Sequence, residues 1–195
     1  PFFNEIDGAT KSTAIQKLVP RALWWFRWGA MFTFFSGWLI IGLKGHHAGM
    51  EIYSTSWGIV ILTGATLGTL MWANVWFVIW PAQKVVIRSA TQVAQGGQAL
   101  PQAAGCGARA GIASRHNVLF SVPMLFFMGA ASHLPLDVSS DVSFWPLILV
   151  LGVIFAALEL NCLKGKLGPL TTIQGVITSG IVFTLALYGL MEWLL

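Results

Sequence analysis

Long unbroken apolar runs, not alternation, dominate this chain. Five stretches are long and apolar enough to cross a bilayer: Ala22–Leu43, Ser56–Trp80, Asn117–Leu134, Ser143–Leu163 and Thr172–Leu195. Each is close to the roughly 17 to 25 residues that a spanning helix needs. No stretch alternates apolar and polar residues with period two, so a transmembrane barrel is excluded in favour of an all-α bundle of transmembrane helices. The whole of residues 1–195 reads as a single integral membrane domain. The Trp-Pro-Ala-Gln-Lys sequence at Trp80–Lys84 predicts the end of the second span, because Trp favours the headgroup boundary, Pro tends to stop a helix and Lys marks water. The 81–116 connection then reads as a cytoplasmic loop, with the Gly-, Ala- and Gln-rich Ser89–Ser114 segment mobile within it.

Composition supports a lipid setting. Of 195 residues, 56% are hydrophobic and 9% charged, against about 25% charged in ordinary soluble domains. The formal net charge is +4, but the basic residues are scattered and form no dense stripe, so nucleic acid is not an expected partner. Loop charges set an orientation. Lys84, Arg88, Arg109 and Arg115 lie between the second and third spans, and Lys164 with Lys166 between the fourth and fifth; positive charge is retained in the cytoplasm. Lys44 is balanced by Glu51 on the opposite side, where Asp137 and Asp141 also fall. Lys11, Lys17 and Arg21 place the start of the chain in the cytoplasm, and the fifth span leaves Leu195 on the periplasmic side of a bacterial inner membrane.

Polar residues within the spans carry the candidate chemistry. Asn74 sits in the cytoplasmic half of the second span. Glu159 and Asn161 lie near the cytoplasmic end of the fourth, where a carboxylate in lipid is costly unless neutral or paired. Arg115 and His116 at the start of the third span, and Arg27 in the first, are possible partners. A cytoplasmic-side cluster follows, with Glu159, Asn74 and Arg115 as candidate catalytic residues; the competing reading is a structural ion pair or snorkelling side chains. GATLG at Gly64–Gly68 is a GxxxG, whose ordinary use is close helix packing. Trp72, Trp76 and Trp80 recur every fourth residue on one helix face. They fit an aromatic belt, or the flank of a flat cofactor.

The histidines divide by side. His116 and His133 are 17 residues apart, about 25 Å along a helix, so they cannot share one iron. His46 and His47, read as part of the external loop after the first span, lie level with His133. One of them with His133 could ligate a b-type haem, since neutral imidazoles suit its axial positions. Solvated loop residues are the plainer reading of His46 and His47. Gly129, Ala130 and Ala131 leave room beside His133 for a planar ring. Cys106 and Cys162 form no CxxC pair and no CxxCH haem-attachment motif. Phosphate loops, dinucleotide fingerprints, HExxH and nucleophile elbows are also missing.

The segments LVPRALWWFRWGAMFTFFSGWLI, MWANVWFVIWPAQKVVI and SRHNVLFSVPMLFFMGAASH resemble the membrane domain of bacterial PuuD-type urate hydroxylases, closely over Pro1–Pro135 and more loosely over the last two spans. That resemblance implies a further span upstream, bearing a histidine that would partner His133, and a following cytochrome c domain that takes electrons from urate oxidation. With neither in this sequence, it implies a shortened relative serving within a larger assembly. Three expectations follow. The chain is a haem b redox subunit working with a cytochrome c or other membrane subunits, a cofactor-free structural subunit of a respiratory, photosynthetic or monooxygenase complex, or a urate-type purine oxidase using a separate cytochrome c.

Overall fold

The structure is a computed structural model describing residues 2–139 and 142–195. Asp141, used above in the loop-charge argument, lies outside the described residues. A short helix α1 (Phe2–Glu5) leads into α2 (Gly8–Lys17), which Asp7 caps by accepting the N–H groups of Ala9 and Thr10. Helix α3 (Val19–Ala48) is peripheral, with only Ile41 and Gly45 buried. A 3₁₀ turn, Met50–Ser54, joins it to α4 (Ser56–Ala73). Tyr53 pins that turn to α3 by donating its hydroxyl to the Ile41 carbonyl at 2.7 Å. Gly45 is required there, because a Cβ at this position would overlap the Tyr53 ring.

The helix of the second span does not stop at Trp80. Helix α4 passes through a π-helical segment, Asn74–Ile79, into α5 (Trp80–Ala94), giving one rod of 39 residues. Pro81 lacks an N–H and crowds the turn before it. A widened turn relieves that conflict while the chain stays helical: the Trp80 N–H reaches back five residues to the Val75 carbonyl. Proline here reshapes the helix without ending it.

The expected loop at 81–116 is therefore mostly helix. Helix α5 runs to Ala94 and α6 (Ala103–His133) begins nine residues later. Ala82 of α5 packs with Ala110 and Ala113 of α6, together with Val75, Val78, Ile79 and Cys162, in a small core of their own. Within the segment expected to be mobile, Ala110 and Ala113 are packing residues, whereas Ala94, Ala99, Ala104 and Ala108 are exposed. His46 and His47 likewise belong to the last turn of α3, not to a loop.

Helix α6 is the hub, packing against α4, α5, the π segment, α7 (Trp145–Lys164) and α8 (Ile173–Leu194). Lipid tails are as apolar as the side chains, so helices in a bilayer associate through close packing of small residues and polar contacts. Gly64 fits this description: a Cβ there would lie 3.3 Å from Phe127 Cβ and 3.4 Å from the Met124 carbonyl. At Gly180 of α8 it would come within 2.7 Å of Val122. Four helices are long and apolar enough to cross a membrane, Val19–Ala48, Ser56–Ala94, Trp145–Lys164 and Ile173–Leu194. The expected third span falls outside that set. His116, Asn117, Ser121, Ser132 and His133 dilute its apolar character, and ten residues of α6 are instead buried inside the bundle.

Candidate functional site

Where α6 and α7 meet the π segment, five polar side chains converge. Asn74 is almost wholly buried, at 1% exposure, and His116 completely so. The Asn74 Nδ2 donates to Asn117 Oδ1 at 3.1 Å and to Glu159 Oε2 at 3.2 Å. Asn117 in turn donates to the Met71 carbonyl at 2.9 Å, a group already receiving the Asn74 backbone N–H. The thiol of Cys162 lies 3.6 Å from Asn74 Oδ1. Every polar atom of the Asn74 side chain is thus engaged, and three helices are joined through one amide.

A second pair lies beside the first. His116 places Nδ1 3.0 Å from the Ile112 carbonyl and Nε2 2.9 Å from Asn161 Nδ2. If the Asn161 amide donates in that contact, His116 is neutral with its proton on Nδ1, facing the carbonyl. Asn161 also meets the Lys166 backbone in both directions, at 3.3 and 3.4 Å. Because Asn161 is exposed and Glu159 half-buried, each of these two hydrogen-bonded sets reaches from a buried side chain towards the surface near the end of α7. The arrangement offers a carboxylate, an imidazole and three carboxamides within one cluster. Such a set can exchange a proton, and a molecule carrying N–H and C=O groups could pair with it only by displacing one of the present partners of these amides.

Four residues singled out from the sequence, Asn74, Glu159, His116 and Asn161, are brought together. Arg115 is not among them. Its guanidinium donates to the Leu170 carbonyl at 2.9 Å, tying α6 to the 3₁₀ turn Gly168–Thr171. Arg27 lies over the rings of Trp76 and Trp80, at 4.9 and 4.1 Å from their centroids. Trp72 stacks on Phe34 with centroids 4.2 Å apart, so the tryptophan face of the second span is turned to α3. Asn117 and Cys162 were missed. An asparagine opening an otherwise apolar run, as in HNVLF, was the available signal for the first; nothing local marks the second.

The other histidines lie at the opposite end of the bundle. His133 is the last residue of α6, and His46 and His47 stand with ring centroids 5.6 Å apart at the end of α3. All three are exposed. The Leu136 N–H donates to Ser56 Oγ at 2.6 Å, which brings the end of α6 to the start of α4, the end where α3 also finishes. Gly129 opens onto free space, whereas Ala130 and Ala131 are packed in the core. Among the described residues no group of three or more His, Cys, Asp or Glu side chains is placed to hold a metal ion.

A helical membrane domain with a buried amide–carboxylate–imidazole network is the class these features define. The family model described as urate oxidase N-terminal matches residues 46–184. That is well over half of the chain, which therefore belongs to this family. The match takes in the last two spans almost to the end of α8 and leaves out most of α3, a different distribution from the closer likeness expected over Pro1–Pro135. No curated protein and no solved structure matches.

Proposed function

We propose that this chain is the membrane-embedded part of a urate-type purine-oxidising system, and that the Asn74–Asn117–Glu159–His116–Asn161 cluster receives the purine and its proton. The observation that carries this reading is the Asn74 amide shared between Asn117 and Glu159 inside a bundle of membrane helices. A polar network at that depth is costly unless it has a use. A purine such as urate presents N–H and C=O groups around a flat ring, the complement of carboxamides and a carboxylate. Electrons leave to an acceptor on another domain or chain, a cytochrome c in this reading. Membranes bearing the full chain should show urate-dependent reduction of added ferricytochrome c, lost in Glu159→Gln and retained in Arg21→Gln. Unchanged turnover in Glu159→Gln removes the cluster from the mechanism.

All five long helices span in this reading. The Leu136–Ser56 contact returns α6 to the level at which α4 begins, so α6 traverses the bundle even though its composition is mixed. The cluster then lies at the cytoplasmic end, beside Arg109, Lys164 and Lys166, and the C-terminus faces the periplasm of a bacterial inner membrane.

A second reading is a haem b subunit, favoured by the placing of His133, His46 and His47 at one end of the bundle. Their imidazoles suit axial ligation, with His133 and His47 on the iron; because all three are exposed on this chain, lipid or a neighbouring subunit would have to cover the ring. Pyridine haemochrome analysis should give one haem per chain, falling in His133→Ala. Absence of both chromophore and turnover, with co-purification in fixed ratio beside a larger complex, would identify a cofactor-free structural subunit.

A further inference from the structure

At the charged end of α3, two hydrogen-bond donors are stranded together. Arg27 Nε and Trp76 Nε1 are both buried and have no acceptor among the described residues. Arg27 forms neither a hydrogen bond nor an ion pair with any described residue. Its contacts are the rings of Trp28, Trp76 and Trp80, at 5.9, 4.9 and 4.1 Å. Those contacts engage the face of the guanidinium, whereas the Nε–H lies in its plane and needs an in-plane acceptor. Inside a bilayer no bulk water supplies one, and an unmet donor costs several kcal/mol there. The indole N–H of Trp76 is in the same position.

We propose that these donors hold the headgroup phosphate of an anionic phospholipid, the tryptophan rings over Arg27 shifting to admit its oxygens to Arg27 and Trp76, with Lys84 adding charge beside Trp80. The surroundings argue for lipid over a dissolved anion. Helix α3 is the peripheral helix, and Trp24, Trp25 and Phe26 next to Arg27 are 46%, 72% and 54% exposed on its outer surface, as expected of side chains in acyl and interfacial contact. A shallow depression of about 340 Å³, lined by Pro20, Arg21, Trp24 and Trp25, lies one turn nearer the start of the helix. Lys84 Nζ sits 5.7 Å from the Trp80 ring that Arg27 also contacts. Basic pockets between helices at a cytoplasmic face are a recurrent mode of anionic headgroup recognition.

Native mass spectrometry of the full chain in detergent tests the assignment, with phosphatidylglycerol and phosphatidylcholine added in turn and thermal midpoints recorded on the same samples. Wild type should retain one phosphatidylglycerol per chain in preference to phosphatidylcholine. Arg27→Gln should weaken that binding by about tenfold or more, the loss of a charge-assisted hydrogen bond. Trp76→Phe, which keeps an aromatic ring and loses the donor, should weaken it less, and Lys164→Gln, at an exposed residue away from the depression, should leave it unchanged. Equal binding of the two lipids, an unaffected but folded Arg27→Gln, or equal losses in Lys164→Gln and Arg27→Gln would each overturn the proposal. Displacement of the lipid by millimolar inorganic phosphate or by urate would overturn it in favour of a site for free anions.

Discussion

Asn74 and Glu159, 85 positions apart in the chain, are joined by a 3.2 Å hydrogen bond inside a bundle of membrane helices. The same Asn74 Nδ2 reaches Asn117, so one amide closes the triangle of π segment, α6 and α7. Replacing it with leucine strands Glu159 and Asn117 together. Each unmet group costs about 1 to 3 kcal/mol, reduced within a bilayer to the extent that the unfolded helices find other partners. Asn74→Leu should therefore lower the thermal midpoint in detergent, and a double-mutant cycle with Glu159→Gln should show coupling of about 0.5 to 2 kcal/mol. A midpoint equal to wild type would mean that the triangle contributes nothing.

Helix spacing gives a second prediction. Gly64 faces the body of α6, with both Phe127 Cβ and a backbone carbonyl within 3.4 Å of its absent side chain. Gly68 faces only the flexible Met124 thioether, at 3.4 Å. Gly64→Leu should push α4 off α6 and destabilise by about 1 to 3 kcal/mol or more, while Gly68→Ala should be nearly neutral. The ordering of their unfolding midpoints is the check; the reverse order would mean that the glycine contacts do not set the spacing.

Acid should loosen the start of the chain first. Asp7 caps α2 with one carboxylate oxygen on the N–H groups of Ala9 and Thr10 and the other on the Thr10 hydroxyl. The Thr10 hydroxyl and backbone hydrogen bonds hold its carboxyl below the ordinary 3.8. A carboxyl lowered on folding contributes stability that is present above its unfolded value and lost as pH falls through the folded one. Protection factors for hydrogen exchange at Ala9 and Thr10, taken against the intrinsic rate at each pH, should fall across that window. Asp7→Asn, which keeps an acceptor, should flatten the dependence, and an equally steep profile in that variant would assign it to another group.

Much of the fold was legible because lipid demands long apolar helices, and these stand out in the sequence whatever their tertiary partners. Polar residues within them were legible for the same reason, which is why Asn74, Glu159, His116 and Asn161 could be grouped before any geometry was known. What local reasoning misjudged was competition between local and tertiary preference. Pro81 reads as a stop, yet the widened turn at Asn74–Ile79 absorbs its missing donor, and Ala82, Ala110 and Ala113 repay continued helix with packing. Arg115 reads as a counterion for Glu159. Its place on α6 instead directs it to the Leu170 carbonyl, a partner that no pattern of side chains could announce.

That contact permits a last separation of roles. The Arg115 guanidinium donates at 2.9 Å to a carbonyl in the turn that leads into α8, where Leu170 is buried against the main core. Removing the charged donor leaves that carbonyl dependent on whatever water reaches it, at a cost of about 1.5 to 3 kcal/mol. Arg115→Met should raise hydrogen exchange through Gly168–Thr172 and lower the thermal midpoint. Arg115→Lys should recover only part of the loss, since a flexible ammonium does not reproduce the planar geometry. If urate-dependent turnover is present, it should fall in Arg115→Met no further than the folded fraction does. Turnover abolished in a variant whose turn stays fully protected would return Arg115 to the chemistry.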